Sequence, residues 1–218
     1  MKAYQSATAR LADLPEVFTG RDLTAKFQWP SAIASTYLGN WRKAGLVRSL
    51  GGHSDVHMNL LRSPQVSTEL ALRRAYPEAL KIGADVLREA GWTTQIMQQP
   101  EVAVMSTSPL FQLDGYTLQR RSLAWFDNVQ PGIEKVQGGL DLLRPTWAFA
   151  DMLARALDRR VRNAWLLAPD DIELEDVAAT PGIGPALAAF GLPAAQMLST
   201  TGYGAVYDQL IRRNQGAK

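Results

Sequence analysis

The chain has 218 residues, 46% hydrophobic and 20% charged, which is enough apolar material for a globular core and excludes a disordered polyelectrolyte. It contains no cysteine, so disulfides, thiolate metal centres and a cysteine nucleophile are ruled out. The net charge of +2 names no partner, but its distribution is uneven: Met1 to Arg62 carries 8 basic and 4 acidic residues, Ser63 to Ala168 12 and 11, and Pro169 to Lys218 3 and 6.

The first of these segments is therefore the one suited to phosphate. The length suits two small domains, expected at 1–62 and 63–218. Met1 to Leu14 places Lys2, Arg10 and Asp13 among alanines and leucines, without the apolar core of a signal peptide or a spanning run. A cytoplasmic protein with no membrane partner is expected.

In chain order, Ala7 to Leu14 reads as a short helix stopped by Pro15, and Val17-Phe18 as a brief strand. Thr19 is an N-cap candidate for a helix over Arg21 to Phe27, which the Trp29-Pro30 step ends because the residue before proline avoids helical torsions. Ser31 is expected to cap a third helix, Ala32 to Ala44. At about 100° per residue that helix sorts into two arcs. Ile33, Ala34, Tyr37, Leu38, Trp41 and Ala44 form the inward one; the other holds Ala32, Ser35, Thr36, Gly39, Asn40, Arg42 and Lys43, with no acid among them. Gly45 then supplies a left-handed cap, and strands at Leu46 to Arg48 and Val56 to Leu61 flank a turn containing Gly51-Gly52.

Helix, helix, third helix and glycine-tipped hairpin, in that order, spell a winged helix-turn-helix. Small residues let a helix sit deep in a major groove about 12 Å wide, while asparagine and arginine make paired hydrogen bonds to adenine and guanine edges. The expected DNA-binding residues are therefore Ser31, Ser35, Thr36, Asn40, Arg42 and Lys43 on the helix, with Arg48 and His53 on the wing. Double-stranded DNA is the expected partner. The alternative is a winged-helix module that binds protein and not DNA, since fold does not dictate task.

Farther on, Ser67 to Tyr76 and Glu78 to Glu89 read as helices separated at Pro77. Thr94 to Met97, Val102 to Met105, Tyr116 to Leu118 and Leu123 to Phe126 read as short strands of a small mixed or antiparallel sheet. Pro145 opens a helix through Leu157, with Trp147, Ala150 and Leu153 inward and Asp151 toward solvent. Arg120-Arg121 and the run Arg155, Arg159, Arg160 and Arg162 are read as solvated or as contacts to phosphate or an acidic partner. The fold class expected is α+β, a winged helix-turn-helix followed by an α+β domain with a helical C-terminal part.

The winged-helix start, Arg120-Arg121-Ser122-Leu123-Ala124-Trp125, and above all Leu142-Leu143-Arg144-Pro145-Thr146-Trp147-Ala148-Phe149-Ala150-Asp151-Met152-Leu153 together resemble the AbiEi-type antitoxins of bacterial abortive-infection systems. The likeness runs from about Leu11 to Arg160. It implies a transcriptional repressor whose winged helix binds repeats in its own promoter and whose second domain counters a nucleotidyltransferase-like toxin encoded beside it.

Other signals are weaker. Ala179 to Ala186, with Gly182-Ile183-Gly184, resembles a phosphate-holding hairpin but lies in an acidic segment and reads as a structural turn. His53 and His57 flank Asp55 without a firm further ligand, so no metal is expected. Neither a nucleophile elbow nor a phosphate-binding or dinucleotide loop occurs, so neither a catalytic role nor a cofactor is expected.

Overall fold

The structure is a computed structural model that describes residues 6–51, 53–110, 113–157, 167–173 and 182–191. The chain is α+β and divides into two compact units. The first comprises Met1–Ala79 with Thr107–Asp114 and Gln137–Leu140; the second comprises the remaining segments.

In the first unit, α1 (Ala7–Ala12) is capped by Ser6 and followed by β1 (Val17–Thr19). Helix α2 (Gly20–Phe27) starts with a complete capping box: Asp22 N–H donates to Thr19 Oγ1 at 3.2 Å, and Thr19 N–H donates to Asp22 Oδ2 at 2.7 Å. Gln28 ends it in the left-handed region at φ 54°, and Trp29-Pro30 leads into α3 (Ser31–Lys43). Ser31 is the first helical residue and not the cap, because Pro30 occupies that position with no side-chain bond.

The other end of α3 is closed by Gly45 at φ 69°, where Gly45 N–H donates to Arg42 O and Leu46 N–H to Trp41 O, both carbonyls that the helix leaves unpaired. Strands β2 (Val47–Ser49) and β3 (Val56–Asn59) complete an antiparallel sheet in the order β1-β3-β2, with Val17 opposite Met58 and Val47 opposite Asn59.

Leu11, Leu14, Phe18, Leu23, Ala34, Leu38, Trp41 and Val47 form the core beneath these helices. Buried Asn59 locks the end of α1 to β3, its Nδ2 donating to the Leu11 carbonyl at 2.9 Å. Helix α4 (Thr68–Ala75), capped by Ser67, packs on β1 and β3. The first unit therefore extends to Ala79 and not to the expected boundary at Arg62.

In the second unit, β4 (Leu80–Ile82), β5 (Glu101–Met105), β6 (Thr117–Arg121), β7 (Ile133–Glu134) and β8 (Asp141–Leu143) form one mixed sheet ordered β6-β5-β4-β8-β7. The β5–β6 and β4–β8 pairs are parallel; β4–β5 and β7–β8 are antiparallel. The expected helix over Glu78 to Glu89 is instead β4, then α5 (Ala84–Glu89): Leu80 and Ile82 are buried around half-exposed Lys81, a period of two. Thr94 to Met97 is irregular rather than a strand.

Leu123 to Phe126 belongs to a helix, α6 (Leu123–Val129), because Ser122 caps it by accepting the Trp125 N–H at 3.2 Å. Helix α7 (Pro145–Leu157) runs as expected, and α8 (Ile183–Ala189) packs on it through a core that includes Ile183, Ala186 and Leu187. Gly132 is required where it stands: a Cβ there would lie 2.2 Å from the Trp147 ring. Ala179, Thr180 and Pro181 of the Gly-Ile-Gly segment, and Arg159, Arg160 and Arg162, lie outside the described residues. No helix among the described residues is long and apolar enough to cross a membrane.

Candidate nucleic-acid interface

Helix α3 has 13 residues and so is about 20 Å long. Ala34, Leu38 and Trp41 anchor its inner side, spaced four and three apart, at 3%, 6% and 3% exposure. Ser31, Ala32, Ser35, Thr36, Asn40, Arg42 and Lys43 are all exposed, and Gly39 is half-buried with open space where a Cβ would stand. The sequence therefore places this polar face correctly. It misplaces two apolar positions: Ile33 is 44% exposed and Ala44 is also exposed, because the inward arc is narrower than six residues.

Side chains on the outer face differ in their freedom. Thr36 Oγ1 donates to the Ala32 carbonyl one turn earlier, at 2.9 Å. Ser35, Asn40, Arg42 and Lys43 have no side-chain hydrogen-bond partner among the described residues. The helix N-terminus lacks a side-chain cap; the Ile33 and Ala34 N–H groups donate to the Pro30 carbonyl, and the positive end of the helix dipole lies beside exposed Ser31. A shallow cleft of about 210 Å³ opens there, lined in part by Arg21, Thr24, Ser31, Ser35 and Asp55. Asp55 is held in it by the Gly20 N–H, 3.1 Å from Oδ1.

An aromatic ladder fixes α3 against α2. Phe27 stacks on Trp29 with ring centroids 4.7 Å apart, and Trp29 stacks on Tyr37 at 4.3 Å. Arg10 lies 5.3 Å above the Trp29 ring and donates to Tyr37 Oη at 2.6 Å. Trp29 thus does more than end the α2 pattern before Pro30: it packs against the core of the first unit, and the Trp-x7-Tyr spacing across a helix start was the signal available for its stacking on Tyr37.

The two expected hairpin residues do not join α3 equally. Arg48 lies on the side of β2 opposite Val47, which faces the α3 core; its Nη2 is 3.5 Å from Met58 Sδ, in a cleft of about 470 Å³ that Thr68 and Asp114 also line. It is therefore not part of the α3 surface. His53 is exposed in the loop between β2 and β3.

His57, set aside earlier, is buried on β3 against Phe18 with its Nδ1 unpartnered. Burial, assisted by the nearby Arg42 charge, pushes its pKa down to about 4, and Asp55, 3.9 Å away, only partly opposes this. His57 is thus a neutral core group next to the exposed cation of α3.

In the second unit two of the arginines expected at the surface, Arg121 and Arg155, are structural, whereas Arg120 is exposed. Arg121 Nη2 pairs with Asp151 Oδ2 at 2.8 Å, and Trp125 Nε1 donates to Asp151 Oδ1 at 2.8 Å. Arg155 Nη1 pairs with Glu101 Oε2 at 3.1 Å, while Gln119 donates to the other Glu101 oxygen, also at 3.1 Å. Asp151, expected in solvent, is 3% exposed: it sits four residues after Trp147, on the same buried side of α7.

No protein-family model matches the chain, and no curated protein does. Among solved structures it is similar to the crystal structure of the RV2827C protein from Mycobacterium tuberculosis, at 15% identity and a TM-score of 0.56, over 94% of this chain and 79% of that one. At that identity the likeness concerns the fold alone.

Proposed function

We propose that the first unit is a winged helix-turn-helix that reads double-stranded DNA, and that the protein is a non-catalytic, sequence-specific repressor. The observation that carries this reading is the outer face of α3: an exposed stripe of Ser, Thr, Asn, Arg and Lys side chains, free of acid and held rigid from behind by Ala34, Leu38 and Trp41. Asn40 and Arg42 are the base-reading candidates, Ser35 and Thr36 the close-approach positions, and Lys43, Ser31 and His53 the backbone contacts. Arg48 drops out of that set because it faces the opposite side of its sheet.

The resemblance to AbiEi-type antitoxins extends the proposal: the DNA read would be promoter repeats, and the second unit would act against a nucleotidyltransferase-like toxin. A gel-shift titration at two salt concentrations tests the first part, with binding expected to weaken steeply as salt rises. Co-expression with the product of the neighbouring gene tests the second, by whether this chain relieves its toxicity.

One observation favours a different reading, in which α3 docks a protein: exposed Ile33 stands one turn before Tyr37 of the aromatic ladder. Loss of DNA binding on Asn40→Ala with none on Ile33→Ser would exclude it.

A further inference from the structure

The cleft at the start of α3 holds one group that the outer face of the helix does not account for. Asp55 immediately precedes β3 and so comes from outside α3, yet it lines the cleft together with Ser31 and Ser35. The volume, about 210 Å³, is below the range of about 300–1,000 Å³ usual for small-molecule sites. The cleft therefore suits the edge of a larger ligand and not a whole small one.

The Asp55 carboxylate is fixed in place. Gly20 N–H donates to its Oδ1 at 3.1 Å and to the Asp55 backbone carbonyl at 3.3 Å. A Cβ on residue 20 would stand 2.5 Å from that Oδ1, so glycine is what lets the carboxylate settle so close to α2. On the other side, buried Ser54 accepts the Val56 N–H at 3.1 Å and holds the backbone that carries Asp55. An acid at a helix start is favourable in itself, but this anchoring uses Oδ1 and leaves Oδ2 without a hydrogen-bond partner among the described residues. The side chain is 58% exposed, and the basic group within ion-pair distance is His57, 3.9 Å away and neutral.

An uncompensated carboxylate beside a DNA-facing helix repels phosphate, and is tolerated where it meets a hydrogen-bond donor instead. The N-terminal residues of a recognition helix are those that contact base edges. Ser31 and Ser35, four apart on one side of α3, place Asp55 at that end of the helix. In the major groove cytosine presents an amino donor, whereas adenine sets its N7 acceptor beside its own amino group, where it repels a carboxylate.

We infer that Asp55 is a specificity-determining residue of the DNA interface, its free oxygen accepting from the N4 amino group of a cytosine beside the first turns of α3. This rests on the reading of α3 as a DNA-binding helix.

Selection from a randomised duplex pool by the full chain and by its Asp55→Asn and Gly20→Ala variants tests it. Asparagine keeps an acceptor for the Gly20 N–H and turns a donor toward the base, so the urea midpoint should not move. Gly20→Ala leaves the carboxylate in the protein but displaces it. The wild-type chain should enrich a motif with one cytosine that neither variant requires, discrimination there falling about tenfold while the other positions are retained. Asp55→Asn should also bind random duplex about threefold more tightly, since it removes a charge of the same sign as phosphate. A wild-type motif recovered unchanged by both variants would overturn the inference and leave the α3 reading intact. Relaxation at a base other than cytosine would overturn it as well, as would relaxation at every position with a lowered urea midpoint, the mark of an anchoring role alone. Failure of the wild-type chain to enrich any motif would overturn both.

Discussion

The outer face of α3 and the β5–β6–α7 cluster both contain arginine, and they use it in opposite ways. Arg42 and Lys43 are exposed, without hydrogen-bond partners among the described residues, on a rigid helix. Arg121 and Arg155 have side chains only 12% and 15% exposed, and each is paired with a carboxylate. An exposed, unpartnered cation is still hydrated and can trade that water for a phosphate or a base edge. A buried, paired one has already lost its water and serves only the fold, since an ion leaves such a site at a cost of several kcal/mol. Sequence proximity did not distinguish them; burial and partner did.

The largest effect expected from breaking this contrast is at Asp151. Asp151→Ala strands the Arg121 guanidinium and the Trp125 N–H, and should destabilise the protein by about 3–5 kcal/mol in urea unfolding. Arg42→Ala should change stability by less than about 0.5 kcal/mol in the same assay. Equal effects would erase the distinction.

Next is the acid side of the pH-stability curve. The unfolded chain takes up a proton at His57 near pH 6.5, whereas the folded chain resists until about pH 4, so protonation favours unfolding across that window. The contribution of His57 is complete above the upper value and lost as pH falls through the window, by up to about 3 kcal/mol. His57→Gln should remove that part of the slope; a slope unchanged in the variant would show that His57 is not held neutral.

Asn40→Ala should then cost about 1–3 kcal/mol of DNA affinity and relax preference at one base pair. Lys43→Ala should weaken binding to all sequences alike and lower the salt slope by about one unit, whereas Arg48→Ala, facing away, should leave that slope alone. A slope change for Arg48 alone would relocate the interface to the opposite side of the sheet.

Much of this first unit was legible because its signals are local. Thr19 followed three residues later by Asp22, the Trp29-Pro30 break and Gly45 fix helix ends by backbone chemistry that needs no distant partner. The second unit was harder to read because its decisive facts are long-range. Leu80 and Ile82 carry a strand period too short to stand out before the apolar Val86-Leu87 pair, and β4 exists because β5 and β8 flank it. Leu123 to Phe126 has strand-like composition, but Ser122 caps it as a helix.

Asp151 was assigned to solvent because it is charged, although its spacing from Trp147 places it inside; its partners, Arg121 and Trp125, are 30 and 26 residues away. At the candidate interface, alternation along β2 was enough to separate Arg48 from α3, yet a hairpin read as a unit obscured it.

The central claim is that α3 reads base sequence. Selection of duplexes from a randomised pool by the full chain, repeated with Asn40→Ala, tests it most directly. The account predicts that the wild-type chain enriches a defined motif and that the variant binds it more weakly and tolerates substitution at one position. Failure of the wild-type chain to enrich any duplex, or recovery of the same motif at the same affinity by the variant, would contradict it.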